Sequence, residues 1–213
     1  MVDVAVLIPT YDRPEILERA MHELRRNVTG ARPAFFVGND HEKPVSFECE
    51  DVTVFNKPSG SLGANLNRLI QAATKAGFEI LIQMDDDHIL KGPLDLSCHI
   101  NKLMEDATAG WIRLMGVGAH KLTADLDETY WRVRWDSDEL YITSNRPHIK
   151  HVRFHEHFGL YHEARKLGHT EESFCHQCKN IGKESGGPNV LIPLTYDDGL
   201  WAHVGHSWQL EGF

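Results

Sequence analysis

The sequence predicts an α/β chain: a mostly parallel sheet flanked by helices, followed by a smaller antiparallel region. Three observations predict it. Up to Met84, short apolar runs alternate with amphipathic stretches of helix length. From Gly110 to about Phe158 the helical period disappears, and the chain becomes rich in Trp, Tyr, Val, Thr and Arg. Between the two regimes, the apolar run "EILIQM" stops at three consecutive carboxylates, Asp85, Asp86 and Asp87. With 213 residues, 41% hydrophobic and 25% charged, the chain is long enough for one full-sized domain and short for two. We expect a single domain over 1–213, with its halves, 1–110 and 111–213, meeting near the change of pattern.

The elements follow in order. "VDVAVLI" is a valine-rich run ending at Pro9 and reads as a buried strand. In "TYDRPEILERAMHELRRN", Asp12 is placed to cap, Pro14 falls in the first turn and Glu15 lies three residues after Asp12. Ile16, Leu17, Ala20, Met21 and Leu24 then form one apolar helical face. "AFFVGND" and "VTVFN" are the second and third strands. "SLGANLNRLIQAATKAG" is a helix with Leu62, Leu66, Leu69, Ile70 and Ala73 inward and Gly77 as its stop. "EILIQM" is the fourth strand. In the second half, "GWIRLMGV", "TYWRVRW", "LYITS" and "KHVRFH" read as short antiparallel strands. "FGLYHEARKLGHTEESFCHQCKN" holds one or two short helices, and "SGGPN" is a loop.

In parallel sheets ligands bind beyond the carboxyl ends of the strands. Tyr11 with Asp12, Asp40, and Asp85 to Asp87 all fall there, so residues distant in sequence converge on one edge. Three adjacent carboxylates repel, and ionising all of them is costly without a cation among them. A solvated turn, or a cap for a helix after Pro93, is the plainer reading. The triple does not match an EF-hand calcium loop, whose spaced acids and glycine are missing. A hard divalent ion, Mg or Mn, shared between carboxylates and substrate phosphates fits the triple.

Lys and Arg number 22 against 31 Asp and Glu, a formal net charge of -9, which argues against a broad grip on nucleic acid or anionic lipid. The opening "MVDVAVLIPTYDRPE" lacks the basic leader of a signal peptide. No stretch reaches the roughly 20 apolar residues of a membrane span. Four cysteines make no disulfide framework, so a cytoplasmic location without a membrane anchor is expected.

"VAVLIPTYDRPEIL", "FFVGND", "SLGANLNRLIQAA" and "LIQMDDDHIL", in this order and spacing, resemble a family 2-type glycosyltransferase of the GT-A fold, a nucleotide-diphospho-sugar transferase. The resemblance covers about the first 110 residues, with the acidic triple at the D-x-D position. It implies a nucleotide-sugar-binding first half and an acceptor-binding second half. It places Pro9, Thr10, Tyr11, Asp12 and Arg13 in the segment that meets the nucleotide, with Tyr11 against the base. Asp40 stands where a carboxylate accepts hydrogen bonds from the base. Asp85 and Asp86 face ribose and diphosphate, and Asp87 is the foremost metal ligand, with Asp85 beside it. Asn65 and Asn67 occupy the place of an Arg-Asn pair whose arginine is absent. Arg13, Lys57 and Arg68 are the other candidates for the phosphates.

The second half matches more loosely. "GLYHEARKLGHTEESF" resembles the acceptor segment, in which an acid takes the proton of the acceptor hydroxyl; Glu171 and Glu172 fill that place. Alternatively, Thr170 caps a helix whose first turn favours acids. "HVG" at His203 resembles the late metal-binding histidine, with His206 second to it. "CHQC", Cys175 to Cys178, with His169 and His176 near, invites a zinc reading, but no second cysteine pair follows. Trp131, Trp135, Tyr130 and Tyr141 either pack a small sheet or stack on a sugar. Arg132, Arg134, Arg146, Lys150 and Arg153 break the acidic trend and are candidates to meet an anionic acceptor.

The resemblance therefore implies a metal-dependent, inverting hexosyltransferase. It moves a sugar from a nucleotide-diphosphate sugar, a uridine one first, to a hydroxyl of a glycan, or of a hydroxylated DNA base against the net charge. Two alternatives stay open: a nucleotidyltransferase making a sugar nucleotide, although "PTYDRPE" lacks its glycine-rich loop, and a non-catalytic zinc- or nucleotide-binding module.

Overall fold

The computed structural model describes residues 1–213 except 116–123, 128, 140, 164–168, 196–198 and 206–213. The elements run β1 (Val2–Thr10), α1 (Pro14–Asn27), β2 (Val28–Thr29), β3 (Ala31–Asn39), β4 (Val52–Asn56), α2 (Leu62–Lys75), β5 (Ile80–Gln83), β6 (His88–Leu90), β7 (Leu94–Asp95), α3 (Ser97–Glu105) and β8 (Ala109–Arg113). There follow β9 (Ala124–Asp127), β10 (Tyr130–Val133), β11 (His148–His151), α4 (Arg153–Phe158), α5 (His169–Ser185), β12 (Asn189–Pro193) and β13 (Trp201–His203).

The main sheet has nine strands in the order β4-β3-β1-β5-β11-β8-β12-β10-β9. β4, β3, β1 and β5 are parallel neighbours, and β8 and β12 are parallel too. β11 is antiparallel to β5 and β8, and β10 is antiparallel to β12 and β9, so only these two strands run against the rest. The mostly parallel α/β architecture is thus as expected, but the second half joins the same sheet, and β8 with β12 departs from the all-antiparallel expectation.

Alternation along the strands divides the core. Val4, Val6 and Ile8 face one side with Ile16, Leu17, Met21 and Leu24 of α1 and Ile100 and Leu103 of α3. Ala5 and Leu7 face the other with Leu66, Leu69 and Ile70 of α2, Phe154 and Phe158 of α4, and Phe174 of α5. Apolar burial on both faces is what a parallel, twice-covered sheet requires.

Several local expectations are corrected. Asp12 does not cap α1; it sits at φ 53, while Arg13 holds the cap position without a side-chain bond and Pro14 begins the helix. Ser61 does cap α2, accepting from the Ala64 N–H at 3.1 Å, and Gly77 at φ 91 ends it as expected. In "LYITS" Leu140 lies outside the described residues and Tyr141 to Thr143 are turn rather than strand, while "RFHEHF" is the helix α4. The late segment holds one 17-residue helix, α5, in place of one or two short ones. Thr170 lies inside its first turn, fully buried, and is not a cap seen from solvent.

β11 carries an unusual polar load into the second core. His148 stacks on Trp111 with ring centroids 3.6 Å apart, and the fully buried Lys150 puts its Nζ 4.7 Å from that ring. Lys150 donates to Gln83 Oε1 at 2.7 Å, and Arg153 donates to the Leu103 and Asp106 carbonyls. These two side chains therefore brace the fold and do not face an acceptor. Burial, followed by the nearby Lys150 charge, holds His148 and His155 well below the usual imidazole range. A histidine kept neutral in the folded state favours folding above its unfolded value of about 6.5, and the contribution is lost as pH falls. We predict that the stability gap between His155→Phe and wild type, read by urea unfolding, moves in favour of the variant from pH 7 to pH 5. A gap that does not change with pH would contradict this.

Candidate active site

Register brings the strand ends together. Thr10 pairs with Asn39, and Leu7 with Gln83. Asp40 N–H donates to the Thr10 carbonyl at 3.1 Å, and Met84 N–H to the Leu7 carbonyl at 3.2 Å. Tyr11, Asp40 and the acidic triple consequently leave the sheet at one edge. Thr10 Oγ1 donates to Asp86 at 2.6 Å and ties β1 to the triple.

The residues expected to meet the nucleotide divide into two groups. Tyr11 is exposed, with its ring edge-on to His41 at 5.0 Å, and Asp12 lies 3.5 Å from His41 Nδ1. Lys57 is exposed in the loop before α2. The others are engaged within the protein. Pro9 is buried in β1. Asp40 accepts from Ser59 N–H at 2.9 Å and Ser59 Oγ at 2.8 Å, with Arg68 at 3.6 Å. Asn65 donates to the Gly38 carbonyl at 2.7 Å. Asn67 clamps the Tyr161 backbone, donating to its carbonyl and accepting from its N–H, both at 2.9 Å.

The triple is electrostatically strained. Burial, then the neighbouring Asp87 and Asp86, pushes Asp85 up to about 8, with Glu171 adding to the rise. Burial raises Asp86 to about 6, against the Thr10 hydrogen bond and the Arg13 charge. Arg13 Nη1 lies 2.9 Å from Asp87 Oδ2 and 3.5 Å from Asp86 Oδ1, a partial internal counter-charge.

A late strand completes the cluster. β13 pairs antiparallel with β6 so that His203 stands opposite His88, their rings stacked at 4.8 Å. His203 Nε2 is 3.4 Å from Asp87 Oδ2, and His88 Nδ1 is 3.4 Å from Asp87 Oδ1. A Cβ on Gly205 would fall 2.1 Å from Asp87 Oδ2, so the glycine of "HVG" lets the backbone approach the carboxylate. His206 lies outside the described residues. Asp87, His88 and His203 are the one group of three metal-ligating side chains found among the described residues, with ligand atoms all within 4.8 Å of one another. Asp87 Oδ1 and His88 Nδ1 are buried without hydrogen-bond partners. Burial, only partly opposed by Asp87, holds His88 down to about 4, which leaves its lone pair free at neutral pH. A carboxylate oxygen and imidazole nitrogens suit Mn or a similar divalent ion. His88 was not anticipated as a ligand; its place directly after the triple was the available signal.

The acidic edge opens into a cavity of about 440 Å³ whose lining includes Asp85, His88, His203, Tyr141, Arg146 and Glu171. Glu171 Oε1 accepts from the Asn145 N–H at 2.8 Å. Glu172 is not part of this wall; its carboxylate lies 3.9 Å from His176. Of the aromatic group, Trp135 packs on Phe158 and over Gly182, and Tyr130 bonds His99, leaving Tyr141 at the cavity. Arg134 pairs with Asp136, so Arg146 is the member of that basic set which lines the cavity. "CHQC" is not a zinc site among the described residues: Cys175 and Cys178 are buried in the core, with burial raising the Cys175 thiol to about 11.

The overall arrangement matches solved structures at 12–14% identity. S. aureus TarS, residues 1–349, superposes with a TM-score of 0.63 at 12% identity, over 94% of this chain and 60% of that one. A mannosyltransferase from Pyrobaculum calidifontis, in complex with GDP-Man and Mn2+, gives 0.57 at 13% identity, over 97% and 59%. A Drosophila β1,4-galactosyltransferase 7, in complex with manganese, UDP-Gal and xylobiose, gives 0.56 at 12% identity, over 99% and 74%. The fold is GT-A. No protein-family model matches the chain, and no curated protein does. The chain spans 60% or less of the TarS structures that it matches. Among the described residues, no helix of this GT-A chain is long and apolar enough to cross a membrane.

The cluster makes a direct prediction. A ligand that binds only the folded state stabilises it by about 2.7 kcal/mol at a hundredfold excess over Kd. Titrating MnCl2 into the protein should raise Tm by several degrees, and Asp87→Asn or His203→Ala should remove most of the shift. Equal shifts in all three proteins would rule out this cluster as the binding site.

Proposed function

We propose that this chain is a metal-dependent, inverting glycosyltransferase. It transfers a sugar from a nucleotide-diphosphate sugar, a uridine one first, to an acceptor hydroxyl. The observation that carries the reading is the shared cavity: His88 and His203 of the metal-ligating cluster, together with Asp85, line the same cavity as Glu171. The GT-A fold, and neighbours solved with UDP-GlcNAc, GDP-Man or UDP-Gal, support the donor class. The family 2-like motifs support direct displacement.

Asp87, His88 and His203 would hold the cation. When bound, it supplies positive charge against the leaving diphosphate. Exposed Tyr11 is the candidate surface for the base, and Arg13 sits ready to exchange its carboxylate partners for phosphate oxygens. Glu171 takes the proton of the acceptor hydroxyl as that oxygen bonds to the anomeric carbon. The bond from that carbon to the diphosphate oxygen breaks, and its electron pair leaves with the nucleotide. Glu171 is preferred over Glu172 because it faces the cavity. Four free cysteines agree with a cytoplasmic setting. A saccharide is the preferred acceptor class. The whole chain is taken as a single GT-A domain, because strands from both halves share the nine-stranded sheet.

The test is nucleotide release from UDP- and GDP-sugars, with and without Mn2+, in the presence of glucose, N-acetylglucosamine or xylobiose. We expect Mn-dependent release with at least one donor. Asp87→Ala should lower turnover at least a hundredfold, and Glu171→Gln by about 10²–10⁴-fold. Release of pyrophosphate from a nucleoside triphosphate and a sugar phosphate would instead identify a nucleotidyltransferase.

A further inference from the structure

Behind Glu171 lies a chain of buried polar groups that the transfer reaction as described does not use. Lys150 Nζ donates to Gln83 Oε1 at 2.7 Å, and the Tyr161 hydroxyl donates to the same oxygen at 3.2 Å. Gln83 Nε2 donates to Asn145 Oδ1 at 3.2 Å, and the Asn145 backbone N–H donates to Glu171 Oε1 at 2.8 Å. Lys150 and Gln83 are almost wholly buried, and Asn145 is 7% exposed.

The placed bonds give the orientation of each amide. An amine and a phenol both face Gln83 Oε1, so the Gln83 NH2 must point the other way, at Asn145. Asn145 must then present its carbonyl oxygen to Gln83. That choice leaves Asn145 Nδ2 without a protein partner among the described residues, on a side chain that lines the same cavity as Glu171. One residue thus steadies the Glu171 carboxylate with its backbone and offers a donor beside it with its side chain.

Resting on the transferase reading above, we propose that Asn145 is a catalytic residue that binds the acceptor. Its Nδ2–H donates to the acceptor oxygen whose proton Glu171 removes, and the Lys150–Gln83 relay locks it in that orientation. The acceptor oxygen has two lone pairs. One attacks the anomeric carbon, the other accepts from Asn145, and its proton points at Glu171. Holding that oxygen by two contacts sets the line of attack, where small displacements are costly. The ligand class implied is a neutral alcohol, whose oxygen both donates and accepts. A thiol, a poor acceptor, fits less well.

The experiment uses the donor and saccharide pair giving fastest nucleotide release in the panel above. Asn145→Asp keeps the shape and the bond from Gln83 but loses the donor. Gln83→Glu still accepts from Lys150 but cannot donate to Asn145, which frees the Asn145 amide to turn. We expect each to lower kcat/KM for the saccharide at least tenfold. Calorimetric UDP affinity in Mn2+ should stay within twofold of wild type, and the double variant should be little worse than Asn145→Asp alone. Saccharide kcat/KM within twofold of wild type in Asn145→Asp, with Glu171→Gln inactive, overturns this proposal and leaves the transferase reading standing. A parallel loss of UDP affinity also overturns it, because the residue then only supports the fold. An inactive wild type, or an active Glu171→Gln, overturns the transferase reading itself and takes this proposal with it.

Discussion

Everything at this site follows from placing three carboxylates at the end of a buried strand. Asp86 and Asp87 are almost fully buried, where charge is expensive and like charges repel strongly. The protein relieves part of the cost internally, through the Thr10 hydroxyl and the Arg13 guanidinium, and leaves part unrelieved. Asp87 Oδ1 and His88 Nδ1 keep unsatisfied lone pairs. Such a site is inexpensive to charge only when a cation shares it.

The sheet explains how one strand serves both sides of the cavity. β5 ends in the acidic triple, and its last residue, Gln83, reaches back through Asn145 towards Glu171. β11 lies antiparallel to β5 and brings His148 and Lys150 beneath that connection. The polar load on β11 would be a liability in an apolar core. Here Lys150 joins, through Gln83 and Asn145, a network that ends on the Glu171 carboxylate. The clamp of Asn67 on the Tyr161 backbone fixes the other neighbour of Gln83. Sites supported on strands in this way position groups more narrowly than loops do.

The elements of the first half were legible because local signals agree there. Alternating valines make β1, an inward apolar set and a Gly77 stop define α2, and an apolar face defines α1. The second half was less legible. The expected strand "KHVRFH" is divided: Lys150 and His151 end β11, and from Arg153 the chain is α4, with Phe154 packed on Trp111 and Phe158 on Phe154. Asp12 looked like a cap, yet its left-handed backbone and the approach of His41 take it away from the helix.

By itself, the sequence determined the alternation of strand and helix, the parallel start, and the acidic triple at a strand end, since each depends on residues close along the chain. Only the tertiary structure decided which distant groups meet that triple. Pairing of β13 with β6 brings His203 to His88, the turn of α5 puts Glu171 and not Glu172 on the cavity, and Gln83 bonds the Asn145 side chain. Those choices depend on register and helix rotation, which are set by how the two cores fill space and which no local pattern encodes.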